Sequence, residues 1–100
     1  MPKGYIYVEI EVTDPENYKL HYMSRSTPAV AAYGGRFLSR GGNVDVKIGE
    51  DDGCCRVVVE FDSYQQARDF YHSPAYQEAI THRDRYSKVY RYLILEGVDY

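Results

Sequence analysis

The sequence predicts an α+β domain: one four-stranded antiparallel sheet with two broken helices on a single face, in the order β-α-β-β-α-β. Three observations point there. Strict apolar–polar alternation from Gly4 to Val12 marks a strand with one apolar face. Helix-start signals occur twice, at Thr13-Asp14-Pro15-Glu16 and at Ser63, each directly after a strand-like run. Two glycine pairs, Gly34-Gly35 and Gly41-Gly42, bracket a short run with an arginine near each end. Such pairs mark places where the backbone turns, bulges or takes positive φ.

Each element follows from its local pattern. In the first strand Ile6, Val8, Ile10 and Val12 point one way, and Tyr5, Tyr7, Glu9 and Glu11 the other. The first helix starts with Asp14 as its cap and Pro15 at the first helical position, or with Thr13 and Glu16 as a capping box. Tyr18, Tyr22, Val30 and Tyr33 share one stripe of it. Pro28 removes a backbone donor inside that helix, which predicts a kink or break near Ser26-Thr27. Gly34-Gly35 ends it. The second strand takes Arg36-Phe37-Leu38-Ser39-Arg40 and is expected to continue through a bulge or bend at Gly41-Gly42 into Val44-Asp45-Val46-Lys47-Ile48.

Glu50-Asp51-Asp52-Gly53 reads as a hairpin turn. Residues 54–61 form the third strand, with Cys55, Val57, Val59 and Phe61 on one face and Arg56, Val58 and Glu60 on the other. Ser63 and Gln66 make a second capping box, before a helix whose buried stripe is Ala67, Phe70 and Tyr71. Ser73-Pro74 restarts that helix, and Tyr76, Ala79 and Ile80 continue its apolar side. Residues 89–96 are the last strand, closed by Gly97.

Right-handed crossovers place the first and third strands in the middle of the sheet, the ferredoxin-like split βαβ arrangement. The helices cover one side only. The other side exposes Tyr5, Tyr7, Val58 and part of the last strand, a patch larger than monomers usually tolerate. A two-fold homodimer burying roughly 800 Å² per subunit is the expected cover.

The chain of 100 residues reads as one domain, residues 1–100. A net charge of −3 leaves no basic face for nucleic acid, and no apolar run approaches a membrane span. Met1-Pro2-Lys3-Gly4 runs straight into a strand, with no signal peptide expected, and the setting expected is cytoplasmic. Cys54 and Cys55 are adjacent. Their Cα atoms lie about 3.8 Å apart, too close for an unstrained disulfide, so they read as two reduced thiols. Tyrosine is over-represented, 12 residues against no tryptophan, which suits interfaces or half-wet pockets alike.

Lys3-Gly4-Tyr5, Asp14-Pro15-Glu16-x-Tyr18, Pro28-Ala29, Tyr33-Gly34-Gly35-Arg36-Phe37-Leu38-x-Arg40-Gly41-Gly42, Val58-x-Glu60-Phe61-x-Ser63, Tyr71-x-Ser73-Pro74-x-Tyr76-Gln77 and Glu96-Gly97 occur in this order. Together they resemble the uncharacterised bacterial domain-of-unknown-function family thirteen-thirty, of the dimeric α+β-barrel superfamily. The resemblance spans nearly the whole chain and implies a homodimer whose sheets face each other. It implies no established reaction. Related families include cofactor-independent monooxygenases, muconolactone isomerases and haem-binding chlorite-dismutase-like proteins, so the fold spans several chemistries. Asp62 stands where family members often carry proline.

Candidate chemistry centres on two arginines. Arg36 and Arg40 are four apart and share a strand face unless a bulge intervenes. Two such cations can hold a carboxylate or enolate, or Glu9 and Glu60 on the central strands can neutralise them. His72 sits where the second helix breaks; it is an exposed cap favoured by the helix dipole, or an acid–base group. His21 and His82 fall mid-helix and read as solvated. Tyr22, Phe37, Tyr71 and Tyr76 line a cavity between helices and sheet, or simply fill the core.

Two functions remain. In the first, a small-molecule binder or a cofactor-independent enzyme of the monooxygenase or isomerase kind takes an organic acid or aromatic ligand. Arg36 or Arg40 orients its oxyanion, Tyr71 donates a hydrogen bond and His72 moves a proton. Phe37, Tyr22 and Tyr76 form the walls. In the second, a non-catalytic dimeric module uses its tyrosines and charges for assembly alone. No histidine, cysteine or carboxylate set has metal-ligand spacing, and neither a metal nor a haem cofactor is expected.

Overall fold

The computed structural model describes residues 2–99; the N-terminal expectation involving Met1 lies partly outside them. The elements are β1 (Gly4–Val12), α1 (Pro15–Asn17), a π-helical segment (Tyr18–Met23), α2 (Ser24–Ala32), β2 (Arg36–Arg40), β3 (Cys55–Phe61), α3 (Tyr64–Tyr71), α4 (Pro74–Tyr86) and β4 (Ser87–Glu96). The strands form one antiparallel sheet in the order β2-β3-β1-β4. This is the ferredoxin-like α+β fold.

The alternation in β1 buries Ile6, Val8 and Ile10 under the helices. Val59 and Phe61 join them from β3, with Val30, Ala67, Phe70, Tyr76 and Ala79 from above. Each large side chain so buried contributes roughly 1.5–3 kcal/mol. The caps hold as well. Asp14 accepts from Asn17 N at 3.2 Å, with Pro15 in the first turn. Ser63 accepts from Gln66 N at 3.0 Å. Ser73 accepts from Tyr76 N at 3.2 Å while donating to Phe70 O at 2.7 Å.

Five expectations need correction. Gln66 does not close a capping box; its Nε2 donates to Tyr33 O instead and ties α3 to the end of α2. The first helix does not break at Ser26-Thr27. Pro28 cannot donate to the Ser24 carbonyl and its ring crowds that group, so the irregularity falls upstream, where the π segment meets Ser24. Ser24 Oγ and Arg25 Nη1 take up the carbonyls of Leu20 and His21 there, at 2.6 and 2.7 Å.

β2 stops at Arg40 rather than running on to Ile48. Gly41 turns off at φ 72° after donating to Arg56 O, and the following residues to 54 are irregular. Asp51 and Asp52 therefore serve local turns, accepting from the backbone of Gly53 and Cys54, and close no hairpin. Lastly, His21 and His82 are half-buried. Their rings stack 5.8 Å apart, and His21 also stacks on Tyr86, because the π segment packs against α4.

Candidate functional site

The register of the sheet lays out the site. On the helix side, one cross-strand row reads Arg40–Val57–Val8–Tyr92 and the next Phe37–Val59–Ile6–Ile94. Neighbouring strands stand about 4.8 Å apart, so the backbones of Arg40 and Tyr92 are about 14 Å apart across three strand spacings. They mark opposite edges of one apolar floor. On the outer side the rows are Arg36–Glu60–Tyr5–Leu95, Ser39–Val58–Tyr7–Leu93 and Arg56–Glu9–Arg91.

Two chambers lie over that floor, between sheet and helices. The inner one encloses about 40 Å³ and is walled by Tyr22, Phe37, Tyr76 and Tyr92. The outer one, about 310 Å³, opens between Val12, Pro15, Met23 and Cys55. Tyr18, Arg40 and Val57 border both. The larger chamber has the size of a small ligand site, and the inner one takes only a few atoms beyond it.

Arg40 stands at the joint of the two. Its Nη2 donates to Thr27 Oγ1 at 3.0 Å, and its guanidinium lies 4.0 Å from the centre of the Phe37 ring. Among the described residues no carboxylate pairs with it. The inner wall is a polar cluster. The Tyr22 and Tyr76 hydroxyls meet at 2.8 Å. Arg83, only 8% exposed, donates through Nη1 to Tyr76 Oη at 3.3 Å and through Nε to Asp84 at 3.1 Å. Its guanidinium lies 5.4 Å from the Tyr92 ring.

Burial sets the protonation of this cluster. It pushes the Tyr18 phenol up to about 12. Burial, then the neighbouring Tyr76, pushes Tyr22 and Tyr92 well above the usual tyrosine range. Burial opposes the charge on Arg83, yet Tyr76 and Asp84 outweigh it and hold that side chain protonated. At ordinary pH the chamber therefore presents neutral phenols and fixed cations, groups that donate hydrogen bonds and do not abstract protons.

Of the expected site residues, Tyr22, Phe37, Arg40 and Tyr76 come together around the inner chamber. Arg36 does not. A register shift between Phe37 and Ser39 leaves Leu38 as an extra residue, which turns Arg36 to the outer face, where its Nε donates to Glu60 at 2.7 Å. Glu9 neutralises neither Arg36 nor Arg40; it sits 3.6 and 3.7 Å from Arg56 and Arg91. His72 borders neither chamber. It is exposed at the C-cap of α3 with Tyr71 against its edge. Tyr71 packs behind the wall, on Tyr76 and Tyr92.

Sequence reasoning missed Tyr92 and Arg83. The one signal for Arg83 is its place seven residues after Tyr76, on the buried stripe of α4. Tyr92 gave none, because it sits in a strand whose two faces are both rich in apolar residues.

Fold and pocket define a class, small ferredoxin-like α+β domains that enclose a ligand-sized space between sheet and helices. Within it, the chain belongs to the family described as Domain of unknown function (DUF1330), which matches residues 3–98. No curated protein matches it. A structure of a protein of unknown function from Rhodopseudomonas palustris is similar at TM-score 0.73 and 19% identity, over 98% of this chain and 84% of that one. SnoaB, a cofactor-independent oxygenase from Streptomyces nogalater, is similar at TM-score 0.69 and 11% identity, over 100% and 97%. A dimeric ferredoxin-like protein of unknown function from Thermobifida fusca is similar at TM-score 0.51 and 10% identity, over 97% and 92%. At these identities the likeness concerns the fold. Among the described residues no helix is long and apolar enough to cross a membrane.

Proposed function

We propose that the protein is a homodimeric binder of a small organic acid, held in the two-chambered pocket in the manner of a cofactor-independent enzyme. One observation carries this reading. Arg40 offers a guanidinium with no carboxylate partner among the described residues, at the joint of two cavities with mainly apolar walls. A carboxylate on Arg40 gains a charge-assisted hydrogen bond, and its hydrocarbon or aryl body gains the apolar walls. The likeness to an oxygenase that works without a cofactor supports an enzymatic version. The neutral phenols favour binding and polarising an oxygen over removing a proton.

The dimer is supported by the outer sheet face, where Tyr7 and Val58 stand in a row with Leu93, 38% exposed, and Tyr5 with Leu95, 47% exposed. The similar Thermobifida protein is itself described as dimeric. Free thiols at Cys54 and Cys55 suit a reducing, cytoplasmic setting. The competing reading, a dimeric module without ligand, draws on the same outer face, where Arg36, Arg56 and Arg91 are all paired with carboxylates.

Thermal scans against a panel of aromatic and dicarboxylic acids separate the two. A ligand at a hundred times its Kd stabilises by about 2.7 kcal/mol, a rise on the order of 10 °C for a domain of this size. The same scan on Arg40→Ala is expected to show an unchanged ligand-free melting temperature and no response. A marked loss of ligand-free stability, or no acid that stabilises the parent protein, rules the binding site out.

A further inference from the structure

The inner chamber has a directional chemistry that Arg40 does not explain. Arginine only donates hydrogen bonds, so Arg83 Nη1 occupies a lone pair of Tyr76 Oη. The positive guanidinium turns the Tyr76 O–H dipole away from itself, toward the Tyr22 oxygen 2.8 Å off. Tyr22 Oη then accepts, and its own proton has no acceptor inside the pair. The count does not depend on that choice of direction. The Tyr92 phenol also engages Tyr76; three hydroxyls joined by two contacts consume two of their three protons, and one is still left over at the chamber wall. Among the described residues no carbonyl or carboxylate accepts from Tyr22 or Tyr76. Both line the inner chamber, as does Arg40.

We propose that this end of the pocket is an oxygen-acceptor subsite, in which Tyr22, oriented by Tyr76 and Arg83, donates to a carbonyl or enolate oxygen of the ligand. The ligand class is then a small keto-carboxylate or its enol: a carboxylate on Arg40, an apolar spacer along Val8 and Val57, and a second oxygen at Tyr22. The inner chamber, about 40 Å³, has room for a carbonyl group and little more, which matches a ligand that enters tip first. Arg83 is a positioning residue here, since it polarises the Tyr76 hydroxyl and touches no ligand. The proposal rests on the reading that a carboxylate binds Arg40.

The test is calorimetric titration of the intact protein with a homologous series of keto-carboxylates, each paired with the carboxylate of equal length lacking the ketone. For the spacer that fits, the keto acid is expected to bind about tenfold tighter, the worth of one good hydrogen bond to a polarised donor. That preference should shrink in Tyr22→Phe and vanish in Tyr22→Phe/Tyr76→Phe. Equal binding of both acids across the series, in the unmodified protein, overturns the subsite and leaves the Arg40 site standing. So does a preference that survives the double substitution. If no acid binds, or if Arg40→Ala leaves binding intact, the Arg40 reading falls and the subsite with it.

Discussion

Arg36 and Arg40, four residues apart in one short strand, project to opposite faces of the sheet. Period-two alternation would place them together, and the extra residue at Leu38 reverses the parity between them. One five-residue strand thereby does two jobs. It anchors the outer surface through Arg36 and Glu60 and delivers a cation to the pocket through Arg40. Their electrostatic consequences should therefore separate experimentally.

For the outer pair the observable is pH. The hydrogen bond from Arg36, then contacts from Tyr5 and the charges of Arg36 and Lys3, hold the Glu60 carboxyl below its ordinary value of 4.5. A carboxyl depressed in the folded state stabilises above its unfolded value, and that contribution is lost as pH falls through the folded value. Arg36→Ala should lower the melting temperature modestly near neutrality, since Arg36 is 55% exposed. The gap from the parent should close as the solution is acidified below about 4.5. A gap that stays constant in melts taken across that range contradicts the pairing.

The outer row Val58–Tyr7–Leu93 should act as the centre of a two-fold interface. Leu93→Lys puts a charge into that row, and an unpaired buried charge costs several kcal/mol. In sedimentation velocity at micromolar concentration the parent should run as a dimer and the variant as a folded monomer with unaltered circular dichroism. A parent that sediments as a monomer removes the interface altogether.

Much of this architecture was legible because short-range rules govern it. The alternation in β1, the caps at Asp14, Ser63 and Ser73, and the strand order all follow from local pattern and handed crossovers. Three features were not. The bulge at Leu38 leaves no mark in residue type, since leucine fits either face, and the visible glycine pair at Gly41-Gly42 drew the expected bulge there. The run Val44-Asp45-Val46-Lys47-Ile48 alternates like a strand, yet Ile48 is 96% exposed; alternation reports a preference and cannot supply a partner strand. Arg83 was hidden because burial of a charge depends on Tyr76 and Asp84 being near it, a tertiary fact.

The two glycine pairs should prove unequal. A Cβ at Gly35 would meet Phe61 Cε1 at 2.6 Å and Val30 Cγ1 at 2.8 Å, both held in the packed core. Gly35→Ala should destabilise by about 1–3 kcal/mol, the usual cost of overpacking. At Gly42 a Cβ meets nothing within 4 Å and its φ is not left-handed, so Gly42→Ala should stay within about 0.5 kcal/mol of the parent. Denaturant melts that rank the two in the opposite order refute the packing around Gly35.

The buried phenols predict how the protein fails in alkali. Tyr18 is pushed from 10.0 to about 12, chiefly by burial, and Tyr22 and Tyr92 are raised by the same cause with Tyr76 adding to it. A phenol whose folded value is raised stays protonated in the fold while the unfolded chain ionises. Its stabilising effect is complete below about 10 and is lost as pH climbs toward the folded value. Phenolate absorbance from the buried tyrosines should therefore appear only above the ordinary tyrosine range, coinciding with loss of helical circular dichroism. Replacing Tyr18 by phenylalanine removes one titrating group from the window between 10 and about 12, so that variant should lose less stability across it than the parent. Ionisation of these phenols within the ordinary tyrosine range, with the fold intact, would mean that burial does not hold them protonated.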